Sequence, residues 1–317
     1  MEKKKGYLMV LISGVMWGTI GLFTTALSSL GLSTMQIAFL RLASGTALLG
    51  IYMLFSGGKA AFRIDRRGFF WCVLLGIIAE ALFNISYTTA VMEAGMALGA
   101  VLLYTAPIFV SLMSRVFFKE TITRRKLAAL GINVAGCALA VTGGSFTSLQ
   151  ISAAGLTAGL AAGFCYGSFT IISTAALKDY DPLTVLFYGM LIGAGILGGV
   201  SRAWQIMPLM TEPRIFMTAA GFGLIPTSTA YGLYMLGLSK HLETSRVPVI
   251  CSVEIITAAL IGTAVLGQEL SFGKSAGILI ILLSIILMNM NPSKNFGNPV
   301  SMESFQVKSR IRSDSIR

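Results

Sequence analysis

The chain has 317 residues, of which 55% are hydrophobic and 12% charged, with a net charge of +11. Soluble domains carry about 25% charged residues, so this chain lacks the polar surface to solvate a globule of its size, and lipid is the solvent it implies. Cys72, Cys137, Cys165 and Cys251 lie apart in apolar runs and His241 is the single histidine, which excludes a disulfide framework or a Cys/His metal site.

Apolar runs recur from end to end, each long enough to cross about 30 Å of hydrocarbon. They predict ten transmembrane helices near 7–28, 34–55, 68–90, 96–117, 127–144, 153–176, 183–201, 215–237, 247–266 and 273–290. The first follows Lys3, Lys4 and Lys5, but it runs on too long and lacks a small-residue cleavage site, so it reads as a span and not a removable signal. Backbone groups in lipid must pair within their own segment, which selects helices. The two-residue alternation of a β-barrel is missing.

With the N-terminus placed inside, nineteen of the 24 Lys and Arg residues fall in inner segments and three, Arg202, Arg214 and Lys274, in outer ones. This split predicts both termini on the cytoplasmic side of a cytoplasmic membrane. It also accounts for the positive charge as a topology signal, so no nucleic-acid partner is needed. The basic stretch 292–317 reads as a disordered tail.

The chain also repeats itself. Trp17-Gly18 returns as Tyr166-Gly167, Phe39 as Tyr188, and Phe118-Lys119-Glu120 as Gly267-Gln268-Glu269, each 149 residues on. Residues 1–150 and 151–291 are therefore two five-helix repeats, and five spans each makes the second an inverted copy of the first. Inverted repeats enclose midplane sites and support alternating access.

On Met16-Trp17-Gly18 and Phe23, Phe39-Leu40-Arg41, Tyr104-Thr105-Ala106-Pro107 through Phe117-Phe118-Lys119-Glu120, Tyr166-Gly167, and Ser252-Val253-Glu254 through Leu266-Gly267-Gln268-Glu269, the chain resembles the EamA-type families of the drug/metabolite transporter superfamily. The resemblance spans about 7–290 and implies secondary transport, often export, of small metabolites, amino acids or drugs. The family's second-half motif usually reads Glu-Pro; Glu254 is followed here by Ile255, which predicts a less kinked ninth helix.

Charges inside a membrane cost roughly 2.5–3.5 kcal/mol each on insertion scales, so each needs a reason. Glu80 sits mid-span with Asn84 and Tyr87 on one helical face; it reads as a proton carrier or amine counter-ion, or as a structural hydrogen-bond partner to a neighbouring helix. Glu254 reads as a substrate or proton site, or as a partner of a basic residue or a backbone group. Arg41 is a carboxylate-binding fork, an ion-pair partner of Glu80 or Glu93, or a snorkelling side chain. Trp17, Tyr104, Tyr166, Tyr188, Tyr231 and Tyr234 lie within spans, Thr227, Tyr231 and Tyr234 on one face. They line a cavity or pack between helices. Gly155, Gly159, Gly163 and Gly167 form a packing ladder, as do Gly14 and Gly18. Pro107 and Pro226 predict kinks. Glu120 and Glu269, at helix ends, read as caps of the next helix or partners of nearby Lys and Arg.

No H-E-x-x-H motif, no paired aspartates within spans and no phosphate-cradling glycine motif occur, which argues against an intramembrane enzyme, an ATP-driven pump and any cofactor. A channel would show a charged ring or an oligomeric filter. The expected function is a secondary transporter of an amino acid or related small organic solute, with a channel or a non-transporting membrane scaffold as the alternative. A small-molecule substrate and the lipid bilayer are the expected partners, and a homodimer is left open.

Overall fold

The computed structural model describes residues 2–145 and 152–289. The chain is an all-helical membrane protein of ten rods: α1 (Glu2–Ser29), α2 (Thr34–Gly57), α3 (66–94), α4 (96–118), α5 (Arg124–Thr142), α6 (Ala153–Ala176), α7 (Pro182–Val200), α8 (213–238), α9 (Thr244–Leu266) and α10 (Phe272–Asn289). The connections are short because their residues stop helices efficiently. Ser33 and Gln36 form a reciprocal capping box at the start of α2, Asp65 caps α3, Thr123 caps α5 and Asp181 caps α7. Gly95, at φ 81°, makes the tight turn between α3 and α4, so α3 runs a few residues past the predicted boundary.

Outward faces are apolar and bare, as at Phe55, Leu127, Val116 and Leu279; a surface of this kind is stable in acyl chains and not in water. The first and last described residues lie at one end of the bundle. Glu2 pairs with Lys240 at 2.9 Å, and Met288 packs with Ala129, Leu130 and Val249. This end is called the terminal face here, and the opposite one the far face. The tail from residue 292 lies outside the described residues.

The duplication is built into the backbone. A π-helical stretch interrupts α3 at Leu75–Leu82, and another interrupts α8 at Gly223–Thr229, beginning 148 residues later. The helix ends Lys119 and Gly267 adopt the same left-handed cap, also 148 apart, and Glu120 and Gln268 each donate a backbone N–H to the carbonyl six residues back. At this landmark the repeat runs one residue shorter than the sequence match, so Glu120 corresponds to Gln268 and not to Glu269. Gly14 packs on Cys251 and Val253 of α9, as Gly163 packs on Leu102, Leu103 and Thr105 of α4.

α9 is interrupted although no proline follows Glu254. Its first turn (Val247–Cys251) and the longer helix (Val253–Leu266) meet at Ser252. Here the Ser252 hydroxyl donates to Asn133 Oδ1 at 3.1 Å on α5, and Asn133 Nδ2 donates to Ser284 on α10 at 3.0 Å. A buried three-helix polar knot does what a proline does elsewhere. Replacing Asn133 with leucine removes both cross-helix bonds, leaving Ser252 and Ser284 only the Pro248 and Ile281 carbonyls of their own helices, and is expected to cost about 1–3 kcal/mol in a thermal melt. A melt unchanged from wild type would show the knot to be dispensable.

The glycine ladder of α6 lies against α4 from Gly159 to Gly167, and Gly155 meets Ala94 at the end of α3. A Cβ on Gly163 would stand 2.9 Å from the Leu102 carbonyl oxygen and 2.7 Å from Thr105 Oγ1, and one on Gly14 would stand 3.0 Å from the Cys251 carbonyl oxygen. Backbone cannot give way as a flexible side chain can. Gly163→Ala and Gly14→Ala are each expected to lose about 1–3 kcal/mol of stability, whereas Gly131→Ala, with open space around it, loses none. Equal melting temperatures for the three variants would contradict the tight packing.

Candidate functional site

The broken segments all fall at mid-depth, where irregular backbone persists in lipid when it is enclosed by protein. α1 breaks at Gly18-Thr19, directly after Trp17, so the indole enters the centre of the bundle. Trp17 is buried, and its ring centroid lies 5.0 Å from that of Tyr231, 5.1 Å from Tyr234 and 6.4 Å from Tyr166. Its indole nitrogen has no hydrogen-bond partner among the described residues. Phe169 backs Tyr231 at 5.2 Å, and Phe83 joins Tyr166 to Tyr87 at 5.6 and 6.1 Å. The Tyr234 hydroxyl is held at 2.6 Å by Thr170.

The charged candidates converge on this aromatic set. Arg41 reaches in from α2, its Nη1 donating to the Tyr231 hydroxyl at 3.3 Å and its Cζ lying 5.9 Å from that ring's centroid. Glu80 arrives on the π-helical stretch of α3. It is fully buried, and neither carboxylate oxygen has a hydrogen-bond partner among the described residues. Gly193 of α7 leaves room for its Cβ. Arg41 is the charged group whose field reaches Glu80, yet the two form no ion pair within 4 Å. Glu254, two residues past the α9 break, is half-buried, with Tyr104 and Tyr166 as the side chains that bear on its carboxylate. Tyr87 also lies in its field.

Three predicted residues prove local in their bonding. Asn84 Nδ2 donates to the Glu80 carbonyl at 2.7 Å, satisfying backbone that the widened helix exposes. Thr227 donates to the Phe222 carbonyl at 2.8 Å across the Pro226 interruption of α8. Pro107 sits in the first turn of the second half of α4, just past the break at Tyr104-Thr105. Tyr188 lies outside the site, its hydroxyl bound to the Phe62 carbonyl at 2.9 Å near the terminal face. Phe83, Phe169 and Thr170 belong to the cluster although nothing in their spacing marked them.

A model described as the EamA-like transporter family matches residues 4–142 and again 153–290, one match for each half of the bundle. The chain belongs to the EamA-like transporter family. It is a membrane transporter with duplicated halves and not an enzyme. It is 29% identical over 297 residues to the uncharacterized transporter YwfM of Bacillus subtilis, covering 90% of this chain and 94% of that one. It is 28% identical over 187 residues to the pseudopaline exporter CntI of Pseudomonas aeruginosa, covering 56% of this chain and 63% of that one. A solved crystal structure superposes with a TM-score of 0.72 at 15% identity, over 90% of this chain and 96% of the other; at that identity the likeness concerns the fold.

In this EamA-like transporter the terminal face is fastened. Glu120 does not cap the next helix, as expected from sequence, but caps α9 of the other half. Its carboxylate accepts the Thr244 N–H at 2.7 Å, the Ser245 N–H at 3.1 Å and the Ser245 hydroxyl at 2.7 Å. Burial alone would raise the Glu120 pKa, but these bonds from Ser245 and Thr244 outweigh it and hold it below the ordinary value. Lys126 pairs with Glu243, which also pairs with Arg246, and Lys126 Nζ donates to the Thr121 carbonyl at 2.8 Å. Tyr7 of α1 accepts the Glu243 N–H at 3.2 Å. The far face lacks this latch among the described residues. Gln268 stands where Glu120 would be and lies against Gly262 of its own helix. Thr244 is 2% exposed, while its repeat mate Met96 is 73% exposed. Glu269 is exposed, and its carbonyl accepts from Lys274. Between the latch and Trp17 remains a void of about 10 Å³, lined by Val110, Tyr166, Tyr234, Pro248 and Cys251, room for one water at most.

Proposed function

We propose that this EamA-like transporter is a secondary active carrier that exports a small organic solute, an amino acid or a relative bearing an amine, across the cytoplasmic membrane by alternating access. The observation that carries the reading is the gathering of Arg41, Glu80 and Glu254 around Trp17 at the seam of two inverted halves. Membrane charges without fixed partners mark solute and proton paths. A carrier also needs one face shut while the other is free to open, and the one-sided latch fits that need. Export follows the resemblance and the printed function of CntI. The nineteen-to-three basic split supports cytoplasmic termini.

Glu80 is assigned as the proton site. An ionised carboxylate enclosed without a donor is costly, so this packing accommodates the neutral acid. Tyr87, Tyr104, Tyr166, Tyr231 and Tyr234 supply ring faces and hydroxyls to the solute. The repeats 1–150 and 151–291 are the bodies that rock, and the glycine contacts at Gly155, Gly159, Gly163 and Gly167 are the surface on which α6 bears against the end of α3 and α4.

Proteoliposomes loaded with unlabelled solute are the test. A carrier accelerates uptake of labelled solute by counterflow and saturates. A channel would pass solute without exchange acceleration, and a scaffold would pass none; either result would end the proposal. Cysteine labelling that finds the residue-2 end outside in intact cells would overturn the orientation.

A further inference from the structure

The charges of the central site do not cancel where they stand, and their placement specifies the solute. Arg41 is 6% exposed, and its five N–H donors meet one side-chain acceptor among the described residues, the neutral Tyr231 hydroxyl at 3.3 Å. Glu80 makes no ion pair with it within 4 Å, and the enclosed acid suits the neutral form. Arg41 thus presents a planar fork with an unmatched positive charge. At the other end Glu254 makes no ion pair within 4 Å among the described residues, and the neutral side chains of Tyr104 and Tyr166 are the ones that bear on it. The ends are separated by rings in series: Tyr231 on Arg41, Trp17 at 5.0 Å from Tyr231, and Tyr166, within the field of Glu254, at 6.4 Å from Trp17.

We infer that the site takes an extended zwitterion, a small solute whose ammonium and carboxylate are several carbons apart, with the ammonium against Glu254 among Trp17, Tyr104 and Tyr166 and the carboxylate on the Arg41 fork. The inference rests on the carrier reading above and narrows it. A bidentate fork prefers a planar carboxylate, and an ammonium beside Trp17 and Tyr166 gains from their ring faces. An α-amino acid with an apolar side chain holds both charges on one carbon and cannot reach both ends. A monocation leaves Arg41 unmatched and a monocarboxylate leaves Glu254 unmatched, and each unmatched buried charge weakens binding.

The test is a thermal-shift titration of the purified full-length protein in detergent with five probes: aminohexanoate, aminooctanoate, leucine, hexylammonium and hexanoate. Half-saturation by an aminoalkanoate is expected at a concentration at least about tenfold lower than for any of the other three, a difference of about 1.4 kcal/mol. Arg41→Gln is expected to move the preference to hexylammonium, and Glu254→Gln to move it to hexanoate. A purely structural role for either residue would lower stability without exchanging the preferred charge. Should Arg41→Gln fail to fold, Arg41→Lys keeps the charge and loses the fork; it is expected to keep the zwitterion preference with weaker binding. Leucine or hexylammonium binding as tightly as aminohexanoate would overturn the inference, and so would a series in which nothing binds. Binding in the expected order without counterflow would remove the carrier reading and leave the solute class; counterflow of a different charge class would do the reverse.

Discussion

Glu80→Gln is expected to abolish transport driven by a pH gradient while leaving solute binding and folding intact. Glutamine matches glutamate in shape, so the close fit against Gly193 is preserved, and it imitates the neutral acid that the enclosed site accommodates. What it cannot do is release a proton. Flux under an imposed pH difference in proteoliposomes should therefore fall at least about tenfold, equivalent to about 1.4 kcal/mol. Solute-for-solute exchange, which needs no proton cycle, should persist. The melting temperature should not fall, because the variant loses no hydrogen bond: the wild-type carboxylate oxygens have none among the described residues. Wild-type gradient-driven flux in this variant would remove Glu80 from the mechanism.

Breaking the latch is expected to have the second-largest effect, and the protein carries its own reporter. Cys251 is buried just inside the latch, on the wall of the small void below Trp17. In Glu120→Ala the Thr244 and Ser245 N–H groups and the Ser245 hydroxyl lose their shared acceptor. In Lys126→Ala the Glu243 carboxylate loses a cation. Stranding such groups costs about 2 kcal/mol, which raises the population open at the terminal face about thirtyfold. Maleimide labelling of Cys251 should accelerate by that order, and Cys251→Ser should remove the signal. Labelling at the wild-type rate would mean that the latch does not hold this face shut. The pH dependence has a definite sign. Glu120 is held below its ordinary value, so its share of closure is complete above that value and disappears as pH falls through the lowered one. Cys251 labelling, divided at each pH by the rate for free cysteine so that the loss of reactive thiolate is removed, should rise on acidification in wild type, and that component should be missing from Glu120→Ala.

Most of the architecture was legible in the sequence because lipid imposes simple rules. Span length, basic loops and the recurrence of Trp17-Gly18 as Tyr166-Gly167 each reflect a constraint that acts on local composition. The convergence of Arg41, Glu80 and Glu254 was readable for the same reason, since a charge in a span has few places to go. The π-helical stretch of α3 was not legible: it packs against Gly189 and Gly193 on α7, contacts that no local pattern encodes. The stretch of α8, which packs against Gly45 on α2, contains Pro226, and only its π-helical form went unread. The break in α9 was not legible for a related reason: the signal sought was a proline after Glu254, while Ser252 is bonded both to the Pro248 carbonyl of its own turn and to Asn133, 119 residues away. Glu120 was read as a local cap because its partners, Thr244 and Ser245, belong to the other repeat. Phe83, Phe169 and Thr170 are ordinary apolar-span residues until tertiary packing sets them beside Trp17.

Fastening on a single face has a kinetic consequence. In the proposed carrier the two orientations of the unloaded protein differ in free energy by whatever Glu120, Lys126 and Glu243 contribute, so the solute concentration giving half-maximal rate is expected to differ between the two membrane sides by a matching factor. That asymmetry cannot concentrate anything by itself, because a static energy difference between orientations cancels around a complete cycle. It sets which compartment the resting molecule samples, while the accumulation ratio is left to the coupled gradient alone.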